Sequence, residues 1–211
     1  MMLRLLFPCL IGVVFAANAQ ARPVSYPGGW TLIQKNDGAR SSGFAHYSPT
    51  AKDAVGLFIE HNWQQDVTFT GVQYNRLVKR WNGAESQANI YAKFGAGLAD
   101  PFGAEDAELS GLIELSADWE TRRWFTEYRL RATDFADNQT VHHSARVGVA
   151  PYIGDFGDLH TWLMLQVENH PDRDETIVTT PLVRFFKGVY LVEVGYMIEP
   201  NEWLANWTIR F

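Results

Sequence analysis

The sequence predicts an all-β fold. The expected architecture is a single antiparallel transmembrane β-barrel of about twelve strands, ten to twelve being the range, joined by short hairpin turns. Three observations predict it. Apolar and polar residues alternate over long stretches, turn-forming clusters recur at even spacing, and the alternation continues through the tail WLANWTIRF to Phe211.

The N-terminal segment is read first, because it is set apart from the fold. Arg4 supplies a positive start, Leu5 to Phe15 is apolar apart from Pro8, and the small residues Ala17, Ala19 and Ala21 follow. That order predicts a secretory signal peptide over 1–21, cleaved after Ala19 or Ala21, with 22–211 as the barrel domain. A membrane helix takes roughly 20 apolar residues, about twice this run. The only cysteine, Cys9, falls in the same segment, and Leu6-Phe7-Pro8 before it lacks the small residue that a lipoprotein acceptor site wants. The exported chain is therefore expected to be free of cysteine, and its stability must come from a good core or from a membrane.

Removing Arg4 from the 18 basic residues leaves 17 against 24 acidic ones, a net charge of −7. An acidic chain of this kind is a poor partner for nucleic acid.

The strand pattern has period two. In ELSGLIELSADW, Leu109, Gly111, Ile113, Leu115, Ala117 and Trp119 share a face opposite Glu108, Ser110, Glu114, Ser116 and Asp118, with Leu112 the exception. In DLHTWLMLQVEN, Leu159, Thr161, Leu163, Leu165 and Val167 alternate with His160, Trp162, Met164, Gln166 and Glu168. In SQANIYAKFGAGLA, Ala88, Ile90, Ala92, Phe94, Ala96 and Leu98 alternate with Asn89, Tyr91, Lys93 and glycines. Such alternation argues strand and not helix.

Turn chemistry punctuates the strands. It occurs at Asn36-Asp37-Gly38, Ser48-Pro49-Thr50, Gln64-Gln65-Asp66, Asn82-Gly83, Asp100-Pro101-Phe102-Gly103 and Glu120-Thr121-Arg122. It continues at Asp137-Asn138, Gly154 to Asp158, Pro171 to Asp174, Lys187-Gly188 and Pro200-Asn201-Glu202. Gly, Pro, Asn and Asp are the residues such turns require.

Several strands alternate for about 10 residues or more, the length that crosses a bilayer, whereas strands of soluble sandwiches run to about 5–6. Trp30, Trp63, Trp81, Trp119, Trp124, Trp203, Tyr26, Tyr47 and Tyr152 lie close to the turns, where a membrane barrel carries its aromatic girdles. An open sheet edge is costly in lipid, so the last strand is expected to pair with the first. The alternation of Trp207, Ile209 and Phe211 resembles the C-terminal assembly signal of Gram-negative outer-membrane β-barrel proteins. The resemblance implies recognition by the barrel-assembly machinery and residence in the outer membrane, in contact with its lipid and lipopolysaccharide. The stretches SYPGGWTLIQKNDG, HYSPTAK, LVKRWNG and APYIGDFGDLHTWLMLQ are similar to those of a family of small exported proteobacterial proteins, which supplies no catalytic residues to carry over.

Strand parity points Glu114, Glu127, Arg129, Arg131, Arg146, Glu168, Arg184, Glu193 and Arg210 into the lumen. The mixed signs predict ion pairs across a narrow interior, either a stabilising charge network or the selecting wall of a narrow passive channel. With the N-terminus on the periplasmic side, the outer rim would carry Asp37, Asp66, Asp100, Glu105, Asp106, Asp134, Asp137, Asp172, Asp174, Glu175, Glu199 and Glu202. The inner rim would carry Lys52, Arg80, Arg122, Arg123 and Lys187, with a few acids such as Asp53 and Asp155. The acidic rim suits cations, including the divalent ions that bridge lipopolysaccharide, or is simply a solvated loop surface.

The principal expectation is a narrow passive channel or structural barrel with a small-solute or cation role. One alternative is an enzyme. His142 and Ser144 stand two apart on one strand face and resemble the His-Ser element of outer-membrane lipid A deacylases. No third group is evident to orient the base, no Gly-x-Ser-x-Gly elbow is present, and His46 with Ser48 repeats the spacing beside a turn. The other alternative is a soluble periplasmic barrel holding an apolar ligand. Neither a metal nor a cofactor is expected. His142 and His143 are adjacent and face opposite sides, and Asp172, Asp174 and Glu175 lack the spacing of a calcium loop.

Overall fold

A computed structural model of the chain describes residues 24–101, 106–136, 138–155, 157–169 and 176–211. The expected signal segment 1–21 lies outside the described residues, as do Glu105, Asp137, Asp172, Asp174 and Glu175. The strands are β1 (Trp30–Asn36), β2 (Arg40–Tyr47), β3 (Asp53–Asn62), β4 (Val67–Asn82), β5 (Ser86–Pro101) and β6 (Glu108–Thr121). They continue as β7 (Trp124–Phe135), β8 (Asn138–Val149), β9 (His160–Asn169), β10 (Ile177–Lys187), β11 (Tyr190–Met197) and β12 (Glu202–Arg210). The predicted turn residues that are described fall at junctions between consecutive strands, as Gly, Pro and Asx chemistry requires, while Phe102, Gly103, Phe156 and the cluster Pro171 to Asp174 lie outside the described residues.

Every strand pairs antiparallel with its neighbours in sequence, and β12 returns to β1, which closes the sheet into a barrel. The closing ladder runs from Thr31 opposite Arg210 to Asn36 opposite Ala205. Side chains reinforce it. Trp207 Nε1 donates to Gln34 Oε1 at 2.6 Å, and Asn206 Oδ1 accepts from the Asn36 backbone N at 3.2 Å. Closure removes the free edges that would otherwise leave backbone groups unpaired.

The two faces are inverted relative to a water-soluble protein. Leu57 is 70% exposed and Leu109 87%, and Ile59, Phe94, Ile113, Val147, Leu163 and Val192 are exposed on the same outer wall. Glutamates, arginines, serines and glutamines occupy the buried inner face. The cause is the pleat: a period of two sends alternate residues to opposite faces, and the polar set faces inward. Leu112, the exception in the β6 pattern, belongs to the polar parity and is buried inside.

The turns after β2, β4, β6, β8 and β10 share one rim, here called lower, with the first described residues. The other turns form the upper rim. Exposed aromatic rings gather at both. Trp30 and Tyr47 meet at 5.6 Å on the lower rim, and Tyr196 and Trp203 at 5.2 Å on the upper. The lower rim is uneven, because β3 begins with Asp53 opposite Arg76 while β4 and β5 stay paired as far as Asn82 and Gln87. That hairpin projects past its neighbour, with a register shift between Leu77 and Lys79.

Gly71 and Gly97 stand opposite each other on β4 and β5. A Cβ on Gly71 would lie 2.3 Å from the Ala96 backbone oxygen, and one on Gly97 2.2 Å from that of Thr70. Glycine at both positions lets the sheet bend sharply there, the device by which small barrels curve. Gly95 in turn leaves room for the Leu112 side chain, which a Cβ would meet at 2.8 Å.

Candidate functional site

The interior is built in layers. Near the upper rim, Phe44, Phe58, Val67, Phe69, Ala99, Leu112 and Phe135 form an apolar cluster inside the lumen. Phe69 and Phe135 stack at 4.5 Å and 8° across the small residue Ala99. Near the lower rim, on the β7 to β10 wall, Phe125, Ala150, Trp162, Met164 and Leu182 form a second cluster. Charged and amide side chains fill the level between.

Two centres organise that level. Glu193 of β11 accepts Arg146 Nη1 at 2.8 Å and Arg184 Nη2 at 2.7 Å on one oxygen, and Asn206 Nδ2 at 2.9 Å on the other. Arg146 also donates to Gln166 Oε1 through Nε at 2.9 Å and through Nη2. The Arg184 guanidinium lies 4.8 Å from the Phe125 ring, which ties the network to the lower apolar cluster. The second centre is Glu114 of β6. Lys93 Nζ reaches it at 2.5 Å and Arg129 Nε at 3.6 Å, and Arg129 Nη2 lies 3.4 Å from Glu127. Above them Arg131 of β7 reaches Glu60 of β3 at 3.0 Å, bridging strands that are not neighbours. Charges held this far from solvent persist only when paired and hydrogen-bonded, which is the condition these carboxylates meet.

Glu114, Glu127, Arg129, Arg131, Arg146, Glu168, Arg184 and Glu193 all line one cavity of about 180 Å³. Arg210 is also buried, on the row of β12 that pairs with Thr31. Sequence parity thus put each of these side chains on the inner face. It did not identify Lys35, Arg40, Glu60, Lys93 or Asp118, which line the same cavity, or the phenylalanines that narrow it.

His142 and Ser144 are buried on the inner face of β8 and line the cavity. His142 Nδ1 lies 3.2 Å from the Asn169 backbone oxygen, and Ser144 stands opposite Arg129 on one side and Glu168 on the other. The pair sits inside the barrel, on the opposite side of the wall from the exposed apolar belt. The β8–β9 ladder ends at Ser144 opposite Glu168, and beyond it the Asn169 side chain stands in for a backbone amide. Its Nδ2 donates to Val141 O at 3.2 Å, and its Oδ1 accepts from the His143 N.

Trp207 and Ile209 face outward beside the closing seam, and Phe211 is 59% exposed at the lower rim. Asp37, Asp66, Asp100, Asp106, Asp134, Glu199 and Glu202 lie at or near the upper rim. Asp37 is held by Arg40 at 3.1 Å. The basic residues Lys52, Arg122, Arg123 and Lys187 lie at the lower rim.

No family model matches the chain, and no curated protein matches it. Among solved structures the similarity is low. One, from work entitled "Unveiling the Mechanism Behind the in-meso Crystallization of Membrane Proteins", is 8% identical with a TM-score of 0.47, over 87% of this chain and 83% of that one. Another, CdiB from Acinetobacter baumannii, is 6% identical with a TM-score of 0.31, over 87% of this chain and 59% of that one. Both scores are low, and the barrel assignment rests on the strand pairing of this chain.

Proposed function

We propose that the protein is a small outer-membrane β-barrel, exported by a cleaved signal peptide, whose narrow lumen admits small polar solutes. The observation that carries this reading is the inversion of its faces: an aliphatic outer wall with aromatic rims encloses a charged interior cavity of about 180 Å³. Soluble monomers rarely expose apolar patches larger than a few hundred Å². Leucine, isoleucine and valine exposed on successive strands around this barrel suit acyl chains instead. Lipid and lipopolysaccharide are accordingly its surroundings, and the acidic upper rim suits divalent cations among the headgroups. The outward alternation of Trp207, Ile209 and Phe211 is the element offered to the barrel-assembly machinery.

The lumen is narrow rather than porin-like. Glu193 with its two arginines and Glu114 with Lys93 and Arg129 cross its middle, and the phenylalanine stack closes part of the upper end. A solute passes only by exchanging partners with this network, so any conductance is small and sensitive to its charges. Single-channel recording in planar bilayers tests the reading. Small, discrete conductance that changes with Arg129→Ala or Glu114→Ala supports passage, and a silent bilayer containing correctly folded protein counts against it.

A further inference from the structure

The hairpin of β4 and β5 projects beyond β3 at the lower rim, and a bulge decides what it presents to the outside. Gln73, Asn75 and Leu77 are buried on the inner face of β4, so unbroken alternation would turn Lys79 and Trp81 inward as well. The register instead shifts between Leu77 and Lys79, with Val78 as the extra residue. Beyond the shift Lys79 stands opposite Ile90 and Trp81 opposite Ala88, on the outer row of β5. Arg80 turns inward and donates to Asn89 Oδ1 at 2.7 Å. Bulges commonly serve to re-aim side chains, and this one delivers a cation and an indole to the outer wall.

The outward residues form a groove. Ala88 has Trp81 on one side and Trp119 of β6 on the other. Both indoles are exposed and rise from strands about 10 Å apart, with only a methyl group between them. Ile90 and its partner Ala117 continue the groove toward the aliphatic belt. The Lys79 ammonium lies 5.8 Å from the centre of the Trp81 ring, so it reaches toward the hairpin tip, as a snorkelling lysine does. Lys79 is exposed and pairs with no carboxylate among the described residues. Arg76, the next cation on that face, is held by Asp53 at 2.6 Å, and Arg122 lies 3.9 Å from Asp155. The exposed lower rim then keeps Lys52, Lys79, Arg123 and Lys187 against Glu85 and Asp158.

We propose that this groove docks an anionic phospholipid of the leaflet at the lower rim, its phosphate on Lys79 and an acyl chain between Trp81 and Trp119. Amphipathic rings beside a snorkelling cation match the boundary between headgroup and acyl chain. The unpaired lysine and the positive balance of the rim favour an anionic headgroup over a zwitterionic one. The site rests on the outer-membrane reading above, with the lower rim in the periplasmic leaflet, and does not depend on whether the lumen conducts.

The test uses the full-length protein folded in detergent micelles and titrated with phosphatidylglycerol or phosphatidylcholine of matched acyl chains. Native mass spectrometry counts the lipid retained. The wild type is expected to hold one phosphatidylglycerol at concentrations where phosphatidylcholine is lost. Lys79→Met is expected to weaken phosphatidylglycerol retention about fivefold, as loss of one lysine beside an anionic headgroup implies, and to leave phosphatidylcholine unchanged. Lys187→Met, on the same rim outside the groove, is expected to behave as wild type. Equal retention of the two lipids by the wild type, or an equal loss in Lys79→Met and Lys187→Met, overturns the site. Lipopolysaccharide retained in place of phosphatidylglycerol, and dependent on Lys79, also overturns it, because the hairpin then lies in the other leaflet. A chain that stays dispersed without detergent and retains neither lipid overturns the outer-membrane reading itself, and the site with it.

Discussion

Trp30 and Phe211 exchange a reciprocal pair of backbone hydrogen bonds, Trp30 N to Phe211 O at 2.6 Å and Phe211 N to Trp30 O at 3.0 Å. The seam between β12 and β1 therefore continues through Phe211. The ring of Phe211 stands exposed at the lower rim, where Trp30 and Tyr47 form an aromatic contact. A chain lacking Phe211 loses both bonds and the ring, in a wall where water is a poor substitute partner. It is expected to give a smaller fraction of the compact, fast-migrating form in unboiled gels, with Phe211→Tyr close to wild type.

Glu193 is the acceptor on which two arginines converge. Glu193→Ala leaves Arg146 and Arg184 facing each other uncompensated. Breaking a buried pair by removing one partner costs about 3–5 kcal/mol. Urea unfolding in detergent micelles is expected to show a loss of that order. Combining Glu193→Leu with Arg184→Met is expected to recover part of it, since replacing a whole buried pair with apolar residues is often neutral.

Gly97 tests the bend in the wall. A methyl group there meets the Thr70 backbone oxygen at 2.2 Å, and backbone cannot swing aside as a side chain does. Gly97→Ala is expected to destabilise by about 1–3 kcal/mol, the range of overpacking. Ala96→Val, on the outward face one residue earlier, is expected to be nearly neutral. Equal unfolding midpoints for the two variants would contradict the bend.

Much of this fold was legible in the sequence, for identifiable reasons. Turn residues are chemically conspicuous, so Asn36-Asp37-Gly38 or Lys187-Gly188 can be read without knowing what surrounds them. Strands with one apolar and one polar face announce their parity, which is why the pattern alone points Glu114, Arg129, Arg146 and Glu193 to the face that lines the cavity. Lys35 escapes the pattern, because β1 mixes its faces: Thr31, Ile33 and Lys35 point inward while Trp30, Leu32 and Gln34 point outward. Glu60 shares the inner face of β3 with Ala54 and Phe58, so its strand reads as apolar on both sides. Parity also says nothing about partners across the lumen. The Glu60–Arg131 bridge joins residues 71 apart in sequence, and only barrel closure brings them together. The apolar cluster inside the lumen was hidden for a related reason, since Phe44, Phe69 and Phe135 each look like ordinary strand residues until their strands meet.

The central claim is that the aliphatic wall faces lipid, and Leu57 at the middle of β3 tests it most directly. Wild type and Leu57→Arg would be expressed as full-length chains in a Gram-negative host. Periplasm and outer membrane would be separated, and unboiled and boiled samples compared by gel migration and urea titration. The account predicts outer-membrane protein that shifts on boiling, with Leu57→Arg less stable by about 2–4 kcal/mol, the cost of a lipid-facing arginine near the midplane. Protein recovered from the periplasm without detergent, with Leu57→Arg as stable as wild type, would contradict it and place the wall in water.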